Sequence, residues 1–204
     1  MKHYIIRNLL LFLALTFAVP ANALDHPKAV LPSLASDRFT LVESGRPVPI
    51  LVSQTEDKAV LRAADNLVMD FERVTGNKPQ ISDKVSSGSV IIIGSLDSPY
   101  VKEMVGRGKF STAELEGRNE KYLIQTVMEP LEGIAEALVI AGSDRRGVVY
   151  GIYEISEQIG VSPWYDWMDV PVARQQNLSI ARGSYTAGEP AVRYRGIFLN
   201  DEAP

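Results

Sequence analysis

Cysteine is absent from the 204 residues, so no disulfide holds this fold together and no thiolate is available to bind metal or attack a substrate. Histidine is nearly as scarce, with only His3 and His26; a histidine-built zinc site and a Ser-His-Asp triad confined to this chain are excluded or nearly so. There is no basic surplus either. The 21 Lys and Arg face 25 Asp and Glu, for a net charge of −4, which argues against nucleic acid as a partner. The phosphate-binding patterns G-x-G-x-x-G and G-x-x-x-x-G-K-[ST] do not occur, which weakens a nucleotide-binding reading. Nothing in the sequence calls for a cofactor or a metal.

What is present is the composition of a folded protein, with 46% hydrophobic and 23% charged residues, enough to bury a core. The first 23 residues stand apart. Lys2 and Arg7 precede an apolar run from Leu9 to Val19, and Ala21-Asn22-Ala23 supplies small residues suited to a signal peptidase, so residues 1–23 are expected to be a signal peptide. The run is about half of the ~20 residues that cross a bilayer. Export to the periplasm or the medium is therefore expected, with no membrane attachment after cleavage.

Residues 24–38 carry Pro27 and Pro32 without periodicity and read as an exposed lead-in. Phe39–Val42 and Val48–Val52 are short β-favouring runs around the turn-rich Ser44–Pro47, with Pro47 and Pro49 marking the second as an edge strand or a strand start. Val60, Ala64, Leu67, Phe71 and Val74 recur at helical spacing after the candidate caps Ser53–Thr55, and Gly76 ends that helix. Val90–Ile93 has the pattern of a strand covered on both faces, followed by a helix over Asp97–Val105. Tyr122–Val127 and Ala137–Ile140 read as strands joined by a turn. Ser143 is the candidate N-cap of a helix carrying Val148, Ile152, Ile155 and Ile159 on one side, ended by Gly160. Within it Gly147 and Gly151 each cost about 1 kcal/mol against alanine, which suggests that a neighbouring backbone approaches closely.

This alternation predicts an α/β fold, a mixed sheet flanked by helices, over residues 39–162. Residues 163–192, rich in Pro and Gly after Trp164-Tyr165-Asp166-Trp167, read as an interdomain connector. Residues 193–204 read as a new strand, Tyr194–Leu199, that delivers Asn200, Asp201 and Glu202 at its C-terminal end, where a β/α barrel displays substrate-contacting groups. Adjacent residues of an extended chain point to opposite faces, so if the strand continues through them Asp201 and Glu202 cannot both line one pocket as acid and base, and one would contact sugar while the other supports it. The Gly94-Ser95 and Gly142-Ser143 turns join strand to helix and offer backbone N–H groups to an anion. Arg145 and Arg146 open the second of these helices and are candidate contacts for a uronate carboxylate, against the plainer reading of a solvated face. Trp164, Tyr165 and Trp167 are better suited to burial at a domain interface than to stacking on sugar.

The run Gly142-Ser143-Asp144-Arg145-Arg146-Gly147-Val148-Val149-Tyr150-Gly151-Ile152-Tyr153, then Ser156–Trp164, Asp169-Val170-Pro171 and Tyr194–Glu202, is similar to glycoside hydrolase family 115, the xylan α-1,2-glucuronidases. The resemblance is dense from Ala141 through Pro204 and only architectural before that. It implies an α/β domain like that preceding the barrel in hexosaminidases and α-glucuronidases, followed by the first strand of a truncated catalytic β/α barrel. It further implies an exported hydrolase that removes glucuronic acid, or its 4-O-methyl form, from glucuronoxylan or its oligosaccharides, with inversion and without metal. Asn200, Asp201 and Glu202 would lie in its uronate pocket, and the catalytic acid and base would lie beyond Pro204 in the remainder of the barrel. The chain alone is then expected to be inactive, and a homo-oligomer of the full-length enzyme is compatible with this reading. The alternative is a non-catalytic carbohydrate-binding or scaffold module with Trp164–Trp167 as its platform. N-terminal sequencing of the exported protein should begin at Leu24; recovery of material that still carries Met1–Ala23 would count against the signal-peptide reading.

Overall fold

The β-branched run Val90–Ile93 forms the middle of a strand at the centre of the larger of two sheets in a computed structural model that describes residues 28–84 and 87–196. The strands are β1 (Val30–Leu31), β2 (Arg38–Glu43), β3 (Arg46–Pro47), β4 (Ile50–Val52), β5 (Ile81–Ser82), β6 (Gly88–Ser95), β7 (Tyr122–Met128), β8 (Ile134–Gly142), β9 (Leu178–Ala181) and β10 (Ser184–Tyr185). The helices are α1 (Lys58–Thr75), α2 (Pro99–Gly106), α3 (Arg145–Gln158) and the single turn α4 (Tyr165–Met168). The larger sheet has the order β10-β7-β8-β6-β4-β5. Its pairs β5–β4, β4–β6 and β6–β8 are parallel, while β8–β7 and β7–β10 are antiparallel. The second sheet, β1-β9-β2-β3, is wholly antiparallel. The expected mixed α/β fold is what forms, and no closed barrel is present among the described residues.

Both faces of the larger sheet are covered, and the strand period of two explains which residue goes where. Ile50, Val52, Ile91, Ile93, Leu138 and Ile140 point to the side packed by α1, α3 and the smaller sheet. Leu51, Val90, Ile92, Val139 and Ala141 point to the other side, against Val101 and Met104 of α2 and the loop residues Phe110 and Leu115. Ile91, Ile92 and Ile93 are completely buried, each worth roughly 1.5–3 kcal/mol relative to exposure.

Helix ends show where side-chain competition shifted the boundaries. Asp57, not Ser53 or Thr55, caps α1, its Oδ1 accepting from Ala59 N at 2.8 Å. The Ser53 and Thr55 hydroxyls are instead 2.7 Å apart and bonded to each other in the preceding turn. Asp144, not Ser143, caps α3 by accepting from Gly147 N at 2.9 Å, because Ser143 Oγ accepts from Lys121 N at 3.0 Å. Gly76 closes α1 as expected, with φ +88°.

Three segments differ from the sequence reading. The lead-in 24–38 contains β1, with Val30 fully buried. The expected turn Ser44–Pro47 contains the edge strand Arg46–Pro47, paired with β2, and the expected strand Val48–Val52 shortens to Ile50–Val52, which crosses into the larger sheet as a buried, doubly paired strand. The proposed connector 163–192 returns to the domain, since β9 lies between β1 and β2 and β10 closes the edge at β7. Strands of two to four residues are too short to leave a periodic signal, and β9 is held in place by long-range partners. Residues 193–196 contain no strand. Asn200, Asp201, Glu202 and the signal peptide lie outside the described residues. Among those described, no helix is long and apolar enough to cross a membrane.

The glycines of α3 show the expected close approach. A Cβ on Gly147 would lie 2.2 Å from Lys121 O, and one on Gly142 would lie 2.1 Å from Val148 N. At Gly151 the neighbours are side chains, Ile140 Cγ2 at 2.8 Å and Tyr122 Cβ at 3.2 Å. Gly147→Ala should therefore destabilise the domain by about 2 kcal/mol in urea titration despite alanine's better helix propensity. An unchanged midpoint would show that α3 and β7 are not wedged together.

Candidate functional site

The parallel strands β4, β6 and β8 end on the same rim of the sheet, and α1 and α3 begin there. The rim of an open α/β sheet at its strand C-termini is where ligands usually bind. Here the two strand-to-helix turns singled out as anion sites are already occupied by carboxylates of the chain itself. At Gly94-Ser95, Glu56 Oε1 accepts from Ser95 N at 3.0 Å and from Ser95 Oγ at 3.3 Å. At Gly142-Ser143, the Asp144 carboxylate accepts from Gly147 N through one oxygen and from Glu120 N, at 2.8 Å, through the other. The α3 N-terminus is thus capped by Asp144 and the Ser95 N–H is taken up by Glu56, while α2 carries no side-chain cap; a ligand beside α3 would be met by side chains.

Those side chains are mainly arginines. Arg145, Arg146 and Arg195 line a cavity of about 320 Å³ together with Ala59, Val149 and Tyr150. Arg145 reaches Asp57 Oδ2 at 3.4 Å, and Arg146 reaches Glu120 Oε1 at 2.8 Å. The two adjacent arginines therefore point to different carboxylates and do not form one fork. Arg195 enters from the far end of the described chain, pairing with Glu120 Oε2 and donating to Tyr150 Oη at 2.9 Å. Tyr150 in turn donates weakly to Glu120 at 3.4 Å. Three guanidinium groups facing two carboxylates leave the cavity with a net positive charge, a setting that favours a carboxylate ligand.

Glu120 is the centre of this arrangement. Its side chain is 11% exposed, and hydrogen bonds from Arg146 and then Arg195 hold its carboxyl below the usual value. The sequence reading missed it, because a lone glutamate in a turn carries no motif. The only available hint was the four-residue spacing of Arg146 and Tyr150, which places both on one face of α3.

Within the described residues the aromatic cluster divides. Trp164 and Trp167 are 57% and 76% exposed, so no described residue covers them. Tyr165 is the one that packs inward, with the Arg73 guanidinium 4.5 Å from its ring centre. Arg73 also holds Asp70 at 2.6 Å.

The fold class so defined, a mixed α/β domain, is similar to part of a glycoside hydrolase. The likeness is to BtGH115A, a family GH115 4-O-methyl-α-glucuronidase with specificity for decorated arabinogalactans: 32% identity, TM-score 0.67, covering 80% of this chain and 20% of that one. Looser likenesses are a GH20 β-N-acetylhexosaminidase from Streptomyces coelicolor A3(2), at 14% identity and TM-score 0.43 over 79% of this chain and 25% of that one, and a Streptomyces plicatus β-hexosaminidase, at 15% and 0.44 over 83% and 26%. The chain thus spans about one fifth of the length of the GH115 enzyme. No protein-family model and no curated protein matches it.

Because the Glu120 carboxyl is held low, the sign of its pH dependence is fixed: its anchoring of Arg195 is complete above the ordinary carboxylate range and is lost as pH falls through the lower folded value. The side-chain NMR signals of Arg195 and the Tyr150 ring should titrate together with a midpoint below that range. In Glu120→Gln the transition should vanish and trypsin should cleave after Arg195 faster than in the parent chain.

Proposed function

We propose that this chain is the N-terminal α/β part of an exported glycoside hydrolase that removes glucuronic acid or 4-O-methylglucuronic acid from a plant polysaccharide. The observation that carries the reading is the likeness to BtGH115A, at 32% identity across 80% of the chain. In this reading one carboxylic acid protonates the leaving glycosidic oxygen while a carboxylate activates water on the opposite face of the sugar, with inversion. Both groups belong to the larger remaining part of the enzyme, since the chain spans a fifth of the relative's length.

The contribution of this chain is recognition of the acid. Asn200, Asp201 and Glu202 meet the uronate in this reading, and Arg195, held by Glu120, stands five residues before the first of them in the sequence. The arginine cavity supports the same reading, because Arg145, Arg146 and Arg195 together outnumber the carboxylates they face. Two polysaccharides fit. Glucuronoxylan follows from the resemblance of the sequence motifs, and decorated arabinogalactan is the substrate class of BtGH115A.

The test compares the native enzyme with the 204-residue chain on aldouronic oligosaccharides and on glucuronidated arabinogalactan, following the released acid and its anomeric form by NMR. The enzyme should release the uronic acid with inverted configuration, and the chain alone should release none. Turnover by the chain would refute the division of labour; release of a neutral sugar or of nothing by the native enzyme would refute the glucuronidase assignment.

A further inference from the structure

Helices α1 and α3 lie side by side, and the groove between their outward faces is a second concavity that the arginine cavity does not include. Its volume is about 580 Å³, within the ~300–1,000 Å³ range of small-molecule sites. One wall is a single stripe of α1 from Arg62 to Arg73, at helical steps of three and four residues; the other is Tyr153, Ser156 and Glu157 of α3. The segment 161–166 closes the end. Across the groove Asn66 Nδ2 donates to Tyr153 Oη at 2.7 Å, which ties the tyrosine to α1.

Two features point to a ligand with hydroxyl groups. The first is Ser156. It is 4% exposed and lines the groove, yet its Oγ has no hydrogen-bond partner. A buried hydroxyl left unpaired is destabilising, and a serine inside a helix would ordinarily satisfy itself on the carbonyl four residues back. The second is charge. Asp70 and Arg73 neutralise one another at 2.6 Å, which leaves Asp65, Glu157 and Asp166 against Arg62 around the opening. An acidic rim repels a uronate. It suits sugar hydroxyls, which donate to carboxylates while the aromatic ring of Tyr153 offers flat apolar area.

We infer that the α1–α3 groove is a binding site for the neutral, undecorated stretch of a polysaccharide chain, separate from the cationic cavity at the strand ends. Only the choice of a saccharide rests on the glycosidase reading. The arrangement is complementary: Ala59, which lines the arginine cavity, stands one helical turn before Arg62, which lines the groove. An acidic branch and the neutral backbone that bears it would thus find opposite charges a short distance apart.

The experiment titrates the 204-residue chain with neutral xylohexaose and with a neutral galactan hexasaccharide, by calorimetry and by amide NMR. At least one should bind and shift signals of α1 and α3. Tyr153→Ala and Glu157→Gln should each weaken binding about tenfold, a change of 1.4 kcal/mol; both sites are exposed and lie outside the packed core. Ser156→Ala should reduce affinity while leaving the unliganded melting temperature unchanged or higher, since it removes an unpaired hydroxyl. Trp164→Ala and Trp167→Ala should have no effect. The inference fails if neither oligosaccharide binds, if binding depends on Trp164 or Trp167, or if only acid-decorated oligosaccharides bind. It also fails if α1 and α3 become protected from hydrogen exchange in the longer enzyme without sugar, which would make the groove a protein-docking face. None of these outcomes depends on turnover, so the glucuronidase assignment stands or falls separately.

Discussion

The parallel pairing of β6 with β8 is the constraint on which the rest depends. It runs for eight residue pairs, from Gly88 against Ile134 to Ser95 against Gly142, and both strands are buried on both faces. Because the side-chain period is two, this single register decides which isoleucines face α1 and α3 and which face α2. It also brings the ends of β6 and β8 to one rim, where the backbone of α3 must pass over β7. Gly142 and Gly147 permit that passage at distances no side chain would tolerate. Shifting the register by one residue would turn both cores inside out and separate α3 from Lys121.

The polar features follow from where that rim and the helix layer leave carboxylates. Glu56 and Asp144 are consumed in satisfying backbone N–H groups at the two turns, so the fold spends its strand-end anion positions on itself. Glu120 is instead left to organise arginines, and it ties residue 195 to α3. The outward stripes of α1 and α3 carry acidic groups that are not neutralised within the domain. Two regions of opposite charge on one helical layer are thus a consequence of which carboxylates are used up internally.

Long elements were readable in the sequence. The stripe of Val60, Ala64, Leu67, Phe71 and Val74, and the uninterrupted run Val90–Ile93, need only periodicity to be recognised, and both stand where expected. The glycines of α3 signalled a close approach, and the partner proves to be Lys121. The short strands β1, β5, β9 and β10 were not readable, because two to four residues hold no period and their stability comes from partners as far away as Val30 is from Ile180. The caps were misplaced by one to four residues where a serine found a partner outside its helix. Arg145 and Arg146 were identifiable as candidates, but their separation onto Asp57 and Glu120 was not.

By itself, then, the sequence determined the layer architecture and the buried faces of the long elements, since these depend on local periodicity and on a hydrophobic effect that is roughly proportional to area. It also excluded thiol and disulfide chemistry within this chain by composition alone. Only the tertiary structure decided that residues 178–185 return to complete both sheets, that Glu120 gathers arginines from α3 and from residue 195, and that Ser156 is buried without a partner beside a groove. Each of these depends on contacts between residues far apart in the chain, and no local rule carries information about which distant group will fill a given hydrogen bond.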